Sequence, residues 1–224
     1  MTAQVDKNKK RVFLVDDHPL VREWLTNLIN QQPDLTVCGE AESAPQAIGA
    51  IAATKPDVVI VDISLKDSSG IELIKDLKQS HPNCKVLVLS MHDESHYAAR
   101  ALRAGARGYV MKRETTRKVI DAIRRILEGK LYMSEKVAEI MAAHFVEGTS
   151  ATDHSPVEQL SDRELEVFEL LGQGQGTRQI AETLRVSVKT VQAYCARMKE
   201  KMNLNSATEL LREAIRWNET KYPR

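Results

Sequence analysis

The chain is short of cysteine, long apolar runs and net charge, and each shortage removes a class of protein. Its three cysteines, Cys38, Cys84 and Cys195, are widely spaced and odd in number. That suits reduced thiols in a cytoplasm rather than a disulfide framework or a zinc site. No apolar stretch approaches the ~20 residues of a membrane span. The basic residues near the N-terminus are followed by no apolar segment, so residues 1–10 read as a disordered leader and not a signal peptide. Net charge is +1, from 32 basic and 31 acidic residues, and the chain as a whole advertises no polyanion partner. No internal repeat is evident. What remains, at 224 residues, 42% hydrophobic and 28% charged, is a soluble globular protein of one large or two small domains, expected in the cytoplasm without a membrane partner.

What is present begins with apolar runs that end in polar groups. Arg11-Val-Phe-Leu-Val-Asp16 is followed by Asp17, and Asp57-Val-Val-Ile-Val-Asp62 ends in a second acid. Lys85-Val-Leu-Val-Leu-Ser90 ends in a hydroxyl, and Gly108-Tyr-Val-Met-Lys112 in an ammonium. Adjacent parallel strands would gather these ends into one place, where carboxylates can hold a hard divalent cation and the whole set can handle a phosphoryl group. Taken singly, an Asp at a strand end also serves as a turn or helix-cap residue.

Strands are expected at 11–16, 35–39, 57–62, 85–90 and 107–111, with helices at 19–31, 44–54, 70–80, 94–104 and 115–128. Five strands alternating with five helices predict an α/β doubly wound, five-stranded parallel sheet covered on both faces. Pro19 suits a helix start, Ser43-x-x-Gln46 and Ser69-x-x-Glu72 read as capping boxes, and Gly105 and Gly129 stand where helices should stop. An amphipathic helix over 134–146 carries Val137, Ile140, Met141 and Phe145 on one stripe; it either serves an interface or bridges two domains. The polar, turn-rich residues 147–156 read as a flexible linker. The expected organisation is a domain over 11–130, a linker helix and linker over 131–157, a small all-α domain over 158–218 and a tail over 219–224.

In the C-terminal part, Ser161-x-x-Glu164 and Ser206-x-x-Glu209 read as capping boxes, and Gly172, Gly174 and Gly176 punctuate the middle. A short helix from Thr177 to Leu184 and a new start at Ser187 form a helix-turn-helix pattern. From there Val188, Val191, Cys195, Met198 and Met202 form a stripe that must pack inward. The opposite face carries Lys189, Gln192, Ala193, Ala196 and Arg197. Between Arg185 and Lys201 five basic residues stand against one acid, Glu200. Gln pairs with adenine, Ala packs on a thymine methyl, and cations suit phosphates. Gln192, Ala193 and Ala196 are therefore expected at base edges of double-stranded DNA, with Lys189, Thr190, Arg197 and Lys201 on the backbone. The same face would equally suit an exposed helix that binds protein, or nothing.

Over roughly residues 10 to 130, Val15-Asp16-Asp17-His18, Val61-Asp62, Leu89-Ser90 and Met111-Lys112 resemble, in order and spacing, the receiver domain of bacterial response regulators, a flavodoxin-like fold. The resemblance implies that Asp62 accepts a phosphoryl group from a histidine kinase. It implies Mg²⁺ on Asp17, Asp62 and the backbone carbonyl of Ser64, with Asp16 orienting that shell. Lys112 and Ser90 would contact the phosphoryl oxygens, and Tyr109 would change rotamer, altering the surface over about 94–111. His18 is expected as a loop residue and not a ligand. Lys66 stands where the family usually has proline, and is expected to affect the lifetime of the phosphorylated state.

Leu160 to Leu171, Gln179-Ile-Ala-Glu-Thr-Leu184 and Ser187-Val-Lys-Thr-Val191 resemble the LuxR-type helix-turn-helix domain, so that nearly the whole chain is similar to a NarL/FixJ-type response regulator. Tyr194, where the family often has histidine, and Gly176, in place of a serine or threonine cap, are departures that bear on base preference and not on fold. The implied function is a phosphorylation-controlled transcription regulator, a homodimer when phosphorylated, reading half-sites about 10 bp apart or a nearby multiple. One rival is a receiver-type regulator that dimerises without phosphorylation. Another, an aspartate-nucleophile phosphatase, would need a second Asp where Ser64 stands. No enzymatic activity is expected beyond the chain's own aspartyl phosphorylation and dephosphorylation.

Overall fold

The computed structural model describes residues 9–65, 68–114, 116–146 and 156–221. Lys66, most of the expected leader, the linker up to 155 and the last three residues of the tail lie outside them. The chain divides into two compact units, 1–147 and 148–224.

In the first unit, β1 (Lys10–Val15), β2 (Leu35–Ala41), β3 (Val58–Val61), β6 (Lys85–Ser90) and β7 (Gly108–Met111) form one parallel sheet in the order β2-β1-β3-β6-β7. The order β2-β1-β3 puts the ends of β1 and β3 side by side, and Val15 is in register with Val61. Helices α1 (Pro19–Asn30) and α5 (Thr116–Leu127) bury Leu25, Ile29, Val119 and Ile123 with Leu14 and Ile60 on one face. Side chains alternate along a strand. Phe13, Val15, Val59 and Val61 therefore fill the other face, beside α2 (Ala44–Thr54), α3 (Gly70–Ser80) and α4 (Glu94–Ala104).

Several local expectations are corrected. Lys10 belongs to β1, its backbone N–H donating to the Asp34 carbonyl (2.8 Å), so the sheet begins inside the expected leader. Ser43 makes no side-chain cap; Gln46 instead accepts from the Glu42 N–H (3.0 Å). Two short strands, β4 (Ser64–Leu65) and β5 (Ser68–Ser69), pair antiparallel immediately after β3. The stretch from 131, expected as linker, continues the first unit. Tyr132 forms a parallel bridge beside Gly108, and α6 (Glu135–Val146) packs on α4 with Val137 buried. Phe145 of its expected stripe lies outside the described side chains.

Among its described residues the second unit comprises a 3₁₀ turn (Pro156–Gln159) and helices α7 (Asp162–Gly172), α8 (Thr177–Thr183), α9 (Val188–Lys201) and α10 (Ala207–Lys221). Its core joins Leu165, Phe168, Ile180, Val191, Met198 and Leu210, with the Phe168 and Trp217 rings 5.7 Å apart. The Ser161–Glu164 capping box forms as expected. At Ser206 half of one forms: Glu209 reaches the Asn205 N–H and not that of Ser206. A Cβ on Gly172 would lie 2.4 Å from the Ala214 carbonyl oxygen, so glycine is what lets α7 end against α10.

Candidate functional site

The register of the sheet builds the first site. Val15 and Val61 are paired, so the residues that follow them, Asp16 and Asp62, leave the sheet together; the Asp62 N–H donates to the Val15 carbonyl (2.9 Å). Ser90 and Met111 are paired likewise, and the Lys112 N–H donates to the Ser90 carbonyl (2.7 Å). Lys112 then turns its ammonium inward, 2.6 Å from Asp62 Oδ2 and 2.7 Å from Asp16 Oδ2. Asp62 is only 3% exposed. Burial raises its carboxyl, Lys112 pulls it back, Asp16 adds to the rise, and the balance is pushed up to about 6. For Lys112 burial works downward, but the charges of Asp62 and Asp16 outweigh it and hold the ammonium above its ordinary value.

Ligand atoms of Asp16, Asp17, His18 and Asp62 all lie within 4.8 Å of one another. Opposed oxygens about a magnesium-sized ion stand roughly 4 Å apart, and calcium-sized ions need a little more. The cluster therefore fits a hard divalent cation with small adjustment. His18 lies in the loop that leads into α1, as expected, with its Nδ1 2.9 Å from Asp17 and 3.1 Å from Asp16. Ser64 presents its N–H toward Asp62 Oδ1 at 3.4 Å. Ser90 is fully buried, and its Oγ accepts from the His92 N–H (3.2 Å). Tyr109 is buried with its hydroxyl donating to the His92 carbonyl (3.0 Å).

Three residues at this site escaped the sequence reading. Arg22 donates from Nη1 to the Asp16 carbonyl (2.6 Å), steadying the acidic turn from α1. Gly70 opens α3 close under the end of β3, and a Cβ there would lie 2.0 Å from the Asp62 carbonyl oxygen. His92 follows Ser90 by two residues and joins several of these groups. The spacing of His92 from a strand-end hydroxyl was a usable signal; the closeness of Gly70 to β3 was not.

In the second unit, Ser187 caps α9, accepting from the Thr190 N–H (3.0 Å), and the two hydroxyls are hydrogen-bonded (2.7 Å). Lys189, Gln192, Ala193, Ala196 and Arg197 are exposed along one face, while Val191 and Met198 are buried. Val188, expected in the buried stripe, is 37% exposed. The Arg197 guanidinium lies 5.9 Å from the Tyr194 ring centroid. Thr190 is half-buried and committed to the cap. Lys201 stands apart from the other expected DNA contacts. Its ammonium is 2.6 Å from Glu164, so it ties α9 to the capped start of α7. That contact and the Ser161 cap hold the Glu164 carboxyl below its ordinary range against the upward push of burial.

The family model described as "Response regulator receiver domain" matches residues 12–124, and "Bacterial regulatory proteins, luxR family" matches residues 158–214. The chain is 37% identical over 213 residues to the uncharacterized transcriptional regulatory protein YxjL of Bacillus subtilis (strain 168), covering 95% of this chain and 98% of that one. It is 34% identical over 210 residues to the oxygen regulatory protein NreC of Staphylococcus carnosus (strain TM300), covering 92% and 97%. Among solved structures it is similar to RcsB from Salmonella enterica serovar Typhimurium bound to promoter P1flhDC in the presence of phosphomimetic BeF3-. The TM-score is 0.57, with 25% identity over 92% of this chain and 97% of that one. Among the described residues no helix is long and apolar enough to cross a membrane.

Proposed function

Because the chain belongs to the response regulators that join a receiver domain to a LuxR-type DNA-binding domain, we propose that Asp62 is the phosphoacceptor through which a histidine kinase controls its binding to DNA. One observation carries this reading: a buried carboxylate held at 2.6 Å by a lysine whose side chain is 8% exposed, within a cation-sized acidic cluster. An Asp62 oxygen attacks phosphorus, the P–N bond of the donor phosphohistidine breaks, and the imidazole leaves with that electron pair. Lys112 is placed to take a phosphoryl oxygen as the carboxylate gives up its charge. Ser90 supplies a hydroxyl to a second oxygen.

Asp17, Asp62 and the Ser64 backbone carbonyl would hold Mg²⁺, with Asp16 orienting that shell. Mg²⁺ supplies charge neutralisation between carboxylate and incoming phosphate. Phosphorylation replaces a single carboxylate charge with a group that carries about −1.5 to −2 and three strong acceptor oxygens. The inward Tyr109 and the surface of α4 and β7 lie next to that change. The output is DNA binding by α9, with Gln192, Ala193 and Ala196 toward base edges and Lys189 and Arg197 toward phosphates. We place Thr190 and Lys201 behind these, as cap and helix tie. The RcsB relative is described as two dimers bound to two DNAs; a homodimer on paired half-sites in the cytoplasm is the corresponding proposal here. The chain has no turnover of its own beyond aspartyl phosphorylation and dephosphorylation, and a phosphomonoester should remain intact in its presence.

The test is exposure of wild type and Asp62→Asn to a small-molecule phosphodonor and Mg²⁺, read by intact mass, solution mass and DNA affinity. Wild type should gain one phosphate, dimerise and bind DNA more tightly, with all three changes absent in the variant. Equal uptake by Asp62→Asn would remove Asp62 from its role. Full DNA binding without uptake would favour the phosphorylation-independent regulator.

A further inference from the structure

His92 belongs to neither the acidic cluster nor the phosphoryl-contact pair, yet it touches groups on four elements around them. Its backbone N–H donates to Ser90 Oγ (3.2 Å), and its backbone carbonyl accepts from the Tyr109 hydroxyl (3.0 Å). Its Nε2 is hydrogen-bonded to Ser64 Oγ at 2.6 Å. Its ring lies against Tyr97 of α4, with centroids 4.5 Å apart and planes 31° from one another. Ser64 in turn stands two residues beyond Asp62 and points its N–H at Asp62 Oδ1.

A continuous set of contacts therefore runs from the acceptor through Ser64 and His92 to Tyr109 and α4. The His92 main chain is pinned on one side by Ser90 and on the other by Tyr109, and its ring is buttressed by Tyr97. A displacement of Ser64 is then either passed on to those groups or breaks the Ser64–His92 bond, because packed side chains have few intermediate positions. We propose that the His92 side chain is a positioning residue that carries movement of Ser64 to Tyr109 and the start of α4, by a route separate from the Ser90 hydroxyl. The inference rests on the acceptor role of Asp62.

The coupling can be measured on the full-length protein with Mg²⁺ and saturating beryllofluoride, by the nuclear magnetic resonance shifts of the Tyr109 and Tyr97 rings. His92→Phe keeps an aromatic ring on Tyr97 and removes the nitrogen; His92→Gln keeps a hydrogen-bonding group. Wild type and His92→Gln should show the ring shifts. His92→Phe should bind beryllofluoride within about threefold of wild type, the scale of a lost hydrogen bond outside the binding contacts, and lose about half or more of the shift. Ser64→Ala should lose a similar share, and the double variant no more than either, since one bond is removed in all three. Full ring shifts in His92→Phe would overturn the inference while leaving the acceptor role standing. A wild type that takes up no beryllofluoride would overturn both.

Discussion

At the scale of single residues, Asp62 is governed by opposed neighbours, and its proton affinity has a sign that stability can report. An acid whose folded pKa lies near 6, against an ordinary 3.8, binds its proton more tightly in the fold than in the unfolded chain. Its contribution favours the fold at low pH and is lost as pH rises through about 6. In the absence of divalent cations, Asp62→Asn should therefore be more stable than wild type at about pH 7.5, by roughly 3 kcal/mol. The difference should close below about pH 4, where both side chains are neutral. Lys112 keeps Asp16 as its partner in the variant, so no ammonium is stranded. Thermal melts across that range check it; an unstabilised variant at the higher pH would mean that Lys112 already compensates the buried charge. Added Mg²⁺ should raise the melting temperature of wild type and leave the variant nearly unmoved. Gly70 acts at the same scale by having no side chain. Gly70→Ala forces a carbon onto the Asp62 carbonyl, and urea unfolding should show a loss of roughly 1–3 kcal/mol together with weakened Mg²⁺ binding.

At the scale of elements, the two cations near the end of α9 should separate into different roles. Arg197→Ala should weaken DNA binding and reduce its salt slope by about one. Lys201→Ala should instead lower stability, because it strands a 2%-exposed Glu164 that also caps α7. Matching losses of DNA affinity, with no change in stability, would return Lys201 to the phosphate contacts. Elements with strong punctuation were legible in the sequence. The bounds of α2, α3, α4 and β6 agree with expectation because Pro, Gly and capping residues mark their ends. The β4–β5 pair was illegible, since two-residue strands carry no periodicity. The acidic pair, Asp62, Ser90 and Lys112 were readable because a parallel sheet turns sequence order into proximity. Arg22 and the pairing of Lys201 with Glu164 were not, because each is fixed by a side chain meeting another element, which no local pattern encodes.

At the scale of the whole molecule, the first unit ends later than sequence punctuation suggests. Gly129, with φ +85°, stops α5 and looks like a boundary, but the chain then returns to pair Tyr132 with the edge of β7 and to lay α6 on α4. A fragment ending at residue 130 should be less stable than one ending at 147, by at least the roughly 1.5–3 kcal/mol of burying one large aliphatic side chain such as Val137. Equal denaturation midpoints for the two fragments would show that α6 is only a passenger.

That arrangement has a mechanical consequence. A helix of 12 residues is about 18 Å long, so a tilt of about 10° at its seat on α4 sweeps its far end through about 3 Å. The covalent path to the second unit leaves from that far end. A small tilt of α6 at its seat is thus enlarged at its far end, as a pointer magnifies the turn of its spindle.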